Sequence, residues 1–413
     1  MSYFCRLMNL VFAAFITFSF SSCSVTEVAS ESSAALSDVQ DGAFKRVKVA
    51  LCDKQIALLG EGPNHGEGTT VAFKAKLAQA LIEDCGFSLL LFESSLYEAV
   101  KVNRDISEGR MVDRQDVEAV ISFLWRDEVE MGPLINFLHK AVNSGSLTIG
   151  GIDDQIGSRG QDYANFVMPI DITKGMVETK GMVKVRKDEC RAALSQRIFY
   201  SFAEDDPYNV SKKQFILSCL KNIVEGKSDA EPYDPHAAMT ESLYRMVHRD
   251  LINNRSRIIG RERSMYKNFE YWFNRRGDTP KTIIWGATVH TAKSGSVLDL
   301  SNNDPHFGAL INSQFEEDAY VVGFSSLTGS HSLMGRGISD LPAAPESSIE
   351  AVTFEITHGD VAFLSAAELM RFGEAPAAAM TNSYQVRDWS SLLDGMVIFR
   401  EQKPPIKSNE ELQ

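Results

Sequence analysis

The chain has 413 residues, 44% of them apolar, enough to bury a large core. Lys and Arg number 42 against 55 Asp and Glu, a net charge of −13 at pH 7. That balance argues against a nucleic-acid partner and supplies no basic face for a membrane surface.

The N-terminus reads as an address. Arg6 is the only charge before the apolar stretch Leu10–Phe20, which is too short to span a bilayer and suits the core of a signal peptide. It ends in Phe20-Ser21-Ser22-Cys23, which resembles a bacterial lipobox with Cys23 as the lipidated first residue of the mature chain. An ordinary signal peptide cleaved near Ser22 is the alternative. Residues 1–23 are therefore expected to be a leader and 24–42 a Ser-rich linker. The expected product is exported, a bacterial membrane lipoprotein facing the periplasm or the cell exterior and touching the membrane through its anchor alone. Cys52, Cys85, Cys190 and Cys219 form no CxxC, which argues against a cysteine zinc site. Export permits disulfides, and buried thiols remain equally open.

Residues 43–405 are expected to form the folded domain, with a polar tail at 406–413. Ala43–Cys52 suits a short helix leading into the first strand, Gln55–Leu59. Thr69–Asp84 carries Phe73, Leu77 and Leu81 at helical spacing, and Ser88–Phe92 is a second continuous apolar strand. Two such runs joined by a helix predict a right-handed βαβ unit with parallel strands buried on both faces. Tyr97–Ile106, Arg114–Trp125 and Glu128–Asn143 suit helices, and Leu147–Ile152 a third strand running into Asp153-Asp154. From about 174 to 276 the pattern is helical, with breaks at Asp205–Tyr208 and Gly226–Pro235; it reads as a helical insertion over the sheet edge. Thr282–Trp285, Tyr320–Phe324 and Met396–Phe399 complete the strands. The fold class is α/β, a mostly parallel sheet flanked by helices, with the large insertion between the third and fourth core strands.

The candidate site follows from strand ends, where open α/β sheets bind ligands. Glu61 follows the first strand and Glu93 ends the second; the two strands are expected to be neighbours. His65 lies between them on a Gly-rich loop, positioned to act as a general base on water. His290 follows the fourth strand and faces His65 if that strand lies near the first. Asp153 reads as a supporting carboxylate or a turn residue. Lys74, some two turns into the first long helix, is either an oxyanion partner or, more simply, a solvated lysine. There is no HExxH, GxSxG, GxGxxG or P-loop.

With these residues in view, the chain resembles the erythromycin esterase family. The likeness is carried by Gly60-Glu61-Gly62-Pro63-Asn64-His65-Gly66, by Phe92-Glu93, Trp125-Arg126-Asp127-Glu128 and Gly151-Ile152-Asp153, by Arg261-Glu262-Arg263-Ser264-Met265, by Trp285 through His290, and by Leu393-Asp394-Gly395-Met396. The resemblance implies hydrolysis of an ester or macrolactone by water, and with it a response to antibiotic. It makes His65 the base, with Glu61 and Glu93 holding it and the water. His290 and Lys74 are expected at the oxyanion, and Arg126, Asp153 and Arg261 are expected to bind substrate. The chain departs from the family at Lys74, where arginine is usual, at Ala287, where a histidine is usual, and by one extra residue between Glu61 and His65. No cofactor is expected. Two alternatives stand beside this reading: a metal hydrolase holding zinc or manganese through Glu61, His65, Glu93 and His290, and a non-catalytic haem- or ligand-binding lipoprotein.

Overall fold

The computed structural model describes residues 42–156, 162–174, 176, 183–199, 210–225, 233–249, 254–275, 279–294, 305–333 and 337–408. The leader, Cys23 and most of the linker lie outside the described residues, as do the break expected at Asp205–Tyr208 and the last five residues of the tail.

A short helix, α1 (42–52), leads into β1 (Ile56–Leu59), whose four residues are all buried. Burial on both faces explains the unbroken apolar run; Ile56, Leu58 and Leu59 each contribute roughly 1.5–3 kcal/mol on leaving water. Helix α2 (Gly68–Cys85) buries Val71, Leu77 and Leu81 and stops at Gly86, whose φ of 75° is the left-handed conformation that ends helices. Then come β2 (Phe87–Ser95), α3 (Leu96–Ser107), α4 (Arg114–Ile121), α5 (Gly132–Asn143) and β3 (Thr148–Asp153). Two expectations are corrected here. The helix expected over Arg114–Trp125 ends at Ile121, because Ser122 takes a positive φ of 83° and turns the chain so that Trp125 is buried. The helix expected from Glu128 starts at Gly132, where Pro133 occupies a first-turn position that needs no N–H; a 3-10 turn, Val129–Met131, precedes it.

The helical region between β3 and β4 opens with a π-helical turn, Tyr163–Val167, and continues as α6 (Met168–Lys174), α7 (Val183–Phe199), α8 (Val210–Glu225), α9 (Pro235–Arg249) and α10 (Asn254–Asn274). The boundaries of α8 and α9 bracket the break expected at Gly226–Pro235. The sheet resumes with β4 (Lys281–Trp285), a single turn α11 (Thr288–Thr291), α12 (Phe307–Phe315) and β5 (Ala319–Leu333). Next are β6 (Gly337–Asp340), α13 (Ile349–Ile356), β7 (Val361–Ser365), α14 (Ala366–Met370), β8 (Glu374–Ala377), β9 (Gln385–Asp388) and β10 (Gly395–Gln402). Disulfides link Cys52 to Cys85 and Cys190 to Cys219.

The strand order is β3-β2-β4-β1-β5-β10-β7, parallel throughout except for β7, which runs antiparallel to β10 at the edge. The mostly parallel α/β class is therefore observed. The expected adjacency of β1 and β2 is not: β4 lies between them, with Thr282 beside both Ile56 and Leu89. An 18-residue crossover helix is about 27 Å long and spans two strand spacings of about 4.8 Å as readily as one. The consequence is functional, because the loop carrying His290 now lies between those carrying Glu61 and Glu93.

Candidate active site

The backbone of the loop after β1 is anchored to its own Glu67 side chain and to two other segments. Gly62 N–H donates to Glu67 Oε2 at 2.7 Å, Thr288 N–H to the Glu61 carbonyl at 2.8 Å, and Ser332 N–H to the Gly66 carbonyl at 2.8 Å. A Cβ at Gly66 would come within 2.0 Å of the Ser332 carbonyl oxygen, so only glycine fits. His65 itself takes a left-handed φ of 53°, a conformation that costs roughly 1–2 kcal/mol for an L-residue and gathers at functional sites.

Glu61, fully buried, is the hub. Its Oε1 accepts from His65 Nδ1–H at 2.7 Å and from Trp125 Nε1–H at 2.9 Å, while its Oε2 accepts from Lys74 Nζ at 2.7 Å. Burial works against its charged form, but Lys74 and His65 outweigh burial and hold its pKa below the ordinary value. An ionised Glu61 fixes the neutral tautomer of His65 with the proton on Nδ1, leaving Nε2 as a base 4.0 Å from Glu93 Oε1. Burial pulls the His65 pKa down, but Glu61 and the charge of Glu93 more than compensate and leave it raised above 6.5.

Glu93 ties this half to a second. Its Oε1 accepts from Arg261 at 3.0 Å and lies 3.2 Å from His290 Nε2; its Oε2 accepts from Ala287 N–H at 2.8 Å. Arg261 also grips Asp153 at 2.7 Å, and His290 Nδ1–H donates to Glu262 Oε1 at 2.6 Å. Desolvation opposes charge on Glu93, yet His290, His65 and Arg261 hold its pKa well below the usual range. Burial likewise lowers the His290 pKa, but Glu93 and Glu262, one at each ring nitrogen, raise it to about 10. A protonated Nε2 cannot accept from Arg261, so the 3.1 Å approach of Arg261 to that atom places two cations side by side, held by three carboxylates.

This has a consequence for stability. The folded state binds the His290 proton more tightly than the unfolded chain, so its contribution is complete below pH 6.5 and is lost as pH rises through about 10. The melting-temperature gap between the native chain and His290→Gln is expected to be widest near pH 6 and to close toward pH 10. A gap that widens with pH would show that His290 is neutral.

A cavity of about 360 Å³ opens onto this network. His65, Glu93, Asp153, Arg261 and His290 line it together with the apolar Pro63, Phe123, Leu124, Ile156 and Val289. Thus the sequence candidates His65, Glu61, Glu93, His290, Asp153 and Arg261 are brought together. Two are placed elsewhere. Lys74 is neither solvated nor at the cavity: it is fully buried on Glu61, its Nζ 4.3 Å from the centre of the Trp285 ring, so it positions Glu61 and does not meet an oxyanion. Arg126 is not among the lining residues and lies 3.5 Å from Asp127. Sequence reasoning missed Trp125 and Glu262 as functional groups although both lie inside motifs it singled out.

The alternative of a metal site meets a poor donor set. Both oxygens of Glu61 and both ring nitrogens of His290 are engaged, and the Arg261 guanidinium already supplies the cation between Glu93 and Asp153. Among the described residues no group of three or more His, Cys, Asp or Glu side chains is arranged to hold a metal ion.

The sheet, the strand-end cavity and the buried carboxylate–imidazole pair define a hydrolase-like protein. Residues 82–400 match the family model for erythromycin esterase, more than three quarters of the chain, and the chain belongs to that family. The match begins beyond Glu61, His65 and Lys74, which rest on the geometry above. "Putative hydrolase YbfO" of Bacillus subtilis (strain 168) is 21% identical over 310 residues, 68% of this chain and 67% of that protein. Among solved structures, a Bacillus cereus protein superposes with a TM-score of 0.66 at 16% identity, covering 88% of this chain and 92% of its own. An erythromycin esterase EreC mutant in its open conformation gives 0.61 at 15% identity, covering 88% and 94%. At these identities the structural likenesses establish the fold.

Proposed function

We propose that the protein hydrolyses a small-molecule carboxylic ester or lactone with water activated by His65. The observation that carries this is the Glu61–His65 pair, with Nδ1–H fixed on a buried carboxylate and Nε2 at the cavity opposite Glu93. A water about 2.8 Å from both Nε2 and Glu93 Oε1 fits across their 4.0 Å separation. His65 takes a proton from that water as its oxygen attacks the carbonyl carbon. The developing oxyanion is stabilised by the cationic Arg261 and His290 at the cavity wall. Collapse expels the alkoxide, which takes the proton back from His65, giving acid and alcohol. Asp153 orients Arg261; Glu61, with Lys74 and Trp125, orients His65.

The cavity volume suits a ligand of ordinary small-molecule size, with an apolar wall for the acyl or alcohol portion. No metal enters the proposed reaction. Export is part of the proposal: a leader removed just before Cys23 would deliver the chain to an oxidising compartment, where the two disulfides are at home.

The test is an assay of the chain from Ser24 to Gln413 against simple esters, lactones and macrolides, with and without EDTA. Turnover on at least one compound, unchanged by EDTA, is the expected result. Turnover that EDTA abolishes and zinc or manganese restores would move the assignment to a metal hydrolase. A folded protein inert on the whole panel, with haem binding by titration, would make it a binding protein.

A further inference from the structure

The chain does not leave the fold at the end of β10. The Gln402 amide pairs reciprocally with Thr70: its Nε2 donates to Thr70 Oγ1 at 2.7 Å and its Oε1 accepts from Thr70 N–H at 3.3 Å. Lys403 N–H donates to Thr69 Oγ1 at 3.0 Å. Pro404 and Pro405, a stiff extended pair, then pass so close over the start of α2 that a Cβ on Gly68 would come within 2.7 Å of Pro405 Cα. Beyond them the chain docks on the segment after Trp125. Val129 N–H donates to the Ile406 carbonyl at 2.9 Å, and Ser408 N–H to the Asp127 carbonyl at 2.9 Å. Lys407 Nζ lies 3.0 Å from Oε1 of the buried Glu128, whose own N–H donates to the Trp125 carbonyl at 3.0 Å.

The two elements joined in this way are the ones that supply Glu61 with its other donors. Helix α2 brings Lys74; the turn ending at Glu128 brings Trp125. Neither donor lines the cavity, and both elements are bound by one piece of chain more than 270 residues away in sequence. We propose that residues 403–408 form a positioning strap for Glu61, fastening the start of α2 to the Asp127–Glu130 segment so that Lys74 and Trp125 both meet the carboxylate that orients His65. The effect on turnover rests on the function proposed above. The effect on the His65 proton does not, which separates the two ideas.

The test uses full-length variants at opposite ends of the strap, Lys407→Met and Gly68→Ala, with Trp125→Phe as reference and His65→Ala as control. The His65 titration is followed by NMR of the imidazole ring. Without the Trp125 donor the Glu61 charge is less compensated, so Trp125→Phe is expected to raise the His65 pKa. Both strap variants are expected to raise it in the same direction, and Lys407→Arg to restore the native value. On a substrate, kcat is expected to fall roughly tenfold or more with KM within about twofold, because orientation and not binding is lost. Lys407→Met added to Trp125→Phe is expected to cost little further. Folded strap variants that titrate His65 like the native chain would overturn the proposal, as would losses that simply multiply in the double variant. If Gly68→Ala fails to fold, Lys407→Met decides. If His65→Ala retains full turnover, the assigned reaction fails and the titration alone judges the strap.

Discussion

Replacing His65 with alanine is expected to lower kcat by about 10²–10⁴ on whatever ester the protein turns over, with KM little changed. The base carries the proton of the attacking water, and among the described residues no other group offers a basic nitrogen at the same place. His290, the nearest alternative, has both ring nitrogens on carboxylates and is protonated up to about pH 10. Alanine is a poor guest at φ 53°, so His65→Asn should be measured beside it: asparagine tolerates the left-handed region but is no base. Both variants should lose turnover, and the asparagine chain should melt above the alanine one. Native kcat/KM should rise with pH through the His65 pKa, which Glu61 and Glu93 hold above 6.5, because only the neutral imidazole accepts a proton. It should fall again toward pH 10 as His290 loses its proton. Retained turnover in His65→Asn, or a rate that falls steadily from pH 6 upward, would remove His65 from the role of base.

How much of this could be read from the residues varies with the physics involved. Continuous apolar runs such as Ile56–Leu59 signal a doubly covered parallel strand directly, because burial on both faces leaves no room for alternation. Glu61, Glu93 and Asp153 were legible as strand-end carboxylates for the same reason. Strand order was not: nothing in a helix of given length tells how many strands it crosses, so the placement of β4 between β1 and β2 came only from the fold. The edge strand Val361–Ser365 and the pair β8–β9 went unread, being short and set among turns. Burial of a charge was also hidden. Lys74 reads as a surface lysine on its helix, and only the convergence of Glu61 and the Trp285 ring onto it explains its place. The role of Trp125 was hidden for a related reason: a lone indole N–H acquires a role from the carboxylate that meets it, 64 residues away in sequence.

That buried lysine makes Lys74→Met the substitution with the largest expected effect on stability. Its Nζ donates to Glu61 Oε2 at 2.7 Å, lies over the Trp285 ring at 4.3 Å, and is wholly removed from solvent. Removing one member of a buried ion pair leaves the other charge uncompensated, typically at a cost of about 3–5 kcal/mol. Against a total stability of roughly 5–15 kcal/mol this is a large fraction. Methionine fills most of the volume, so the loss reports the charge and not a void. The pH dependence fixes its origin. Lys74, with His65, lowers the Glu61 pKa, so this pairing adds stability above the ordinary carboxylate range that disappears as pH falls and Glu61 is protonated. The penalty of Lys74→Met in urea unfolding should therefore be greatest at neutral pH and shrink toward pH 4. Glu61→Gln should relieve much of it, because the double variant buries no orphaned charge. A penalty below about 1 kcal/mol, or one independent of pH, would show that Lys74 serves packing alone. The same change bears on function, since without Lys74 a buried Glu61 gains a proton more readily, and a neutral Glu61 no longer holds His65 in the tautomer that exposes its basic nitrogen. Activity in Lys74→Met should then fall most steeply where Glu61 protonates, even though Lys74 never approaches the substrate.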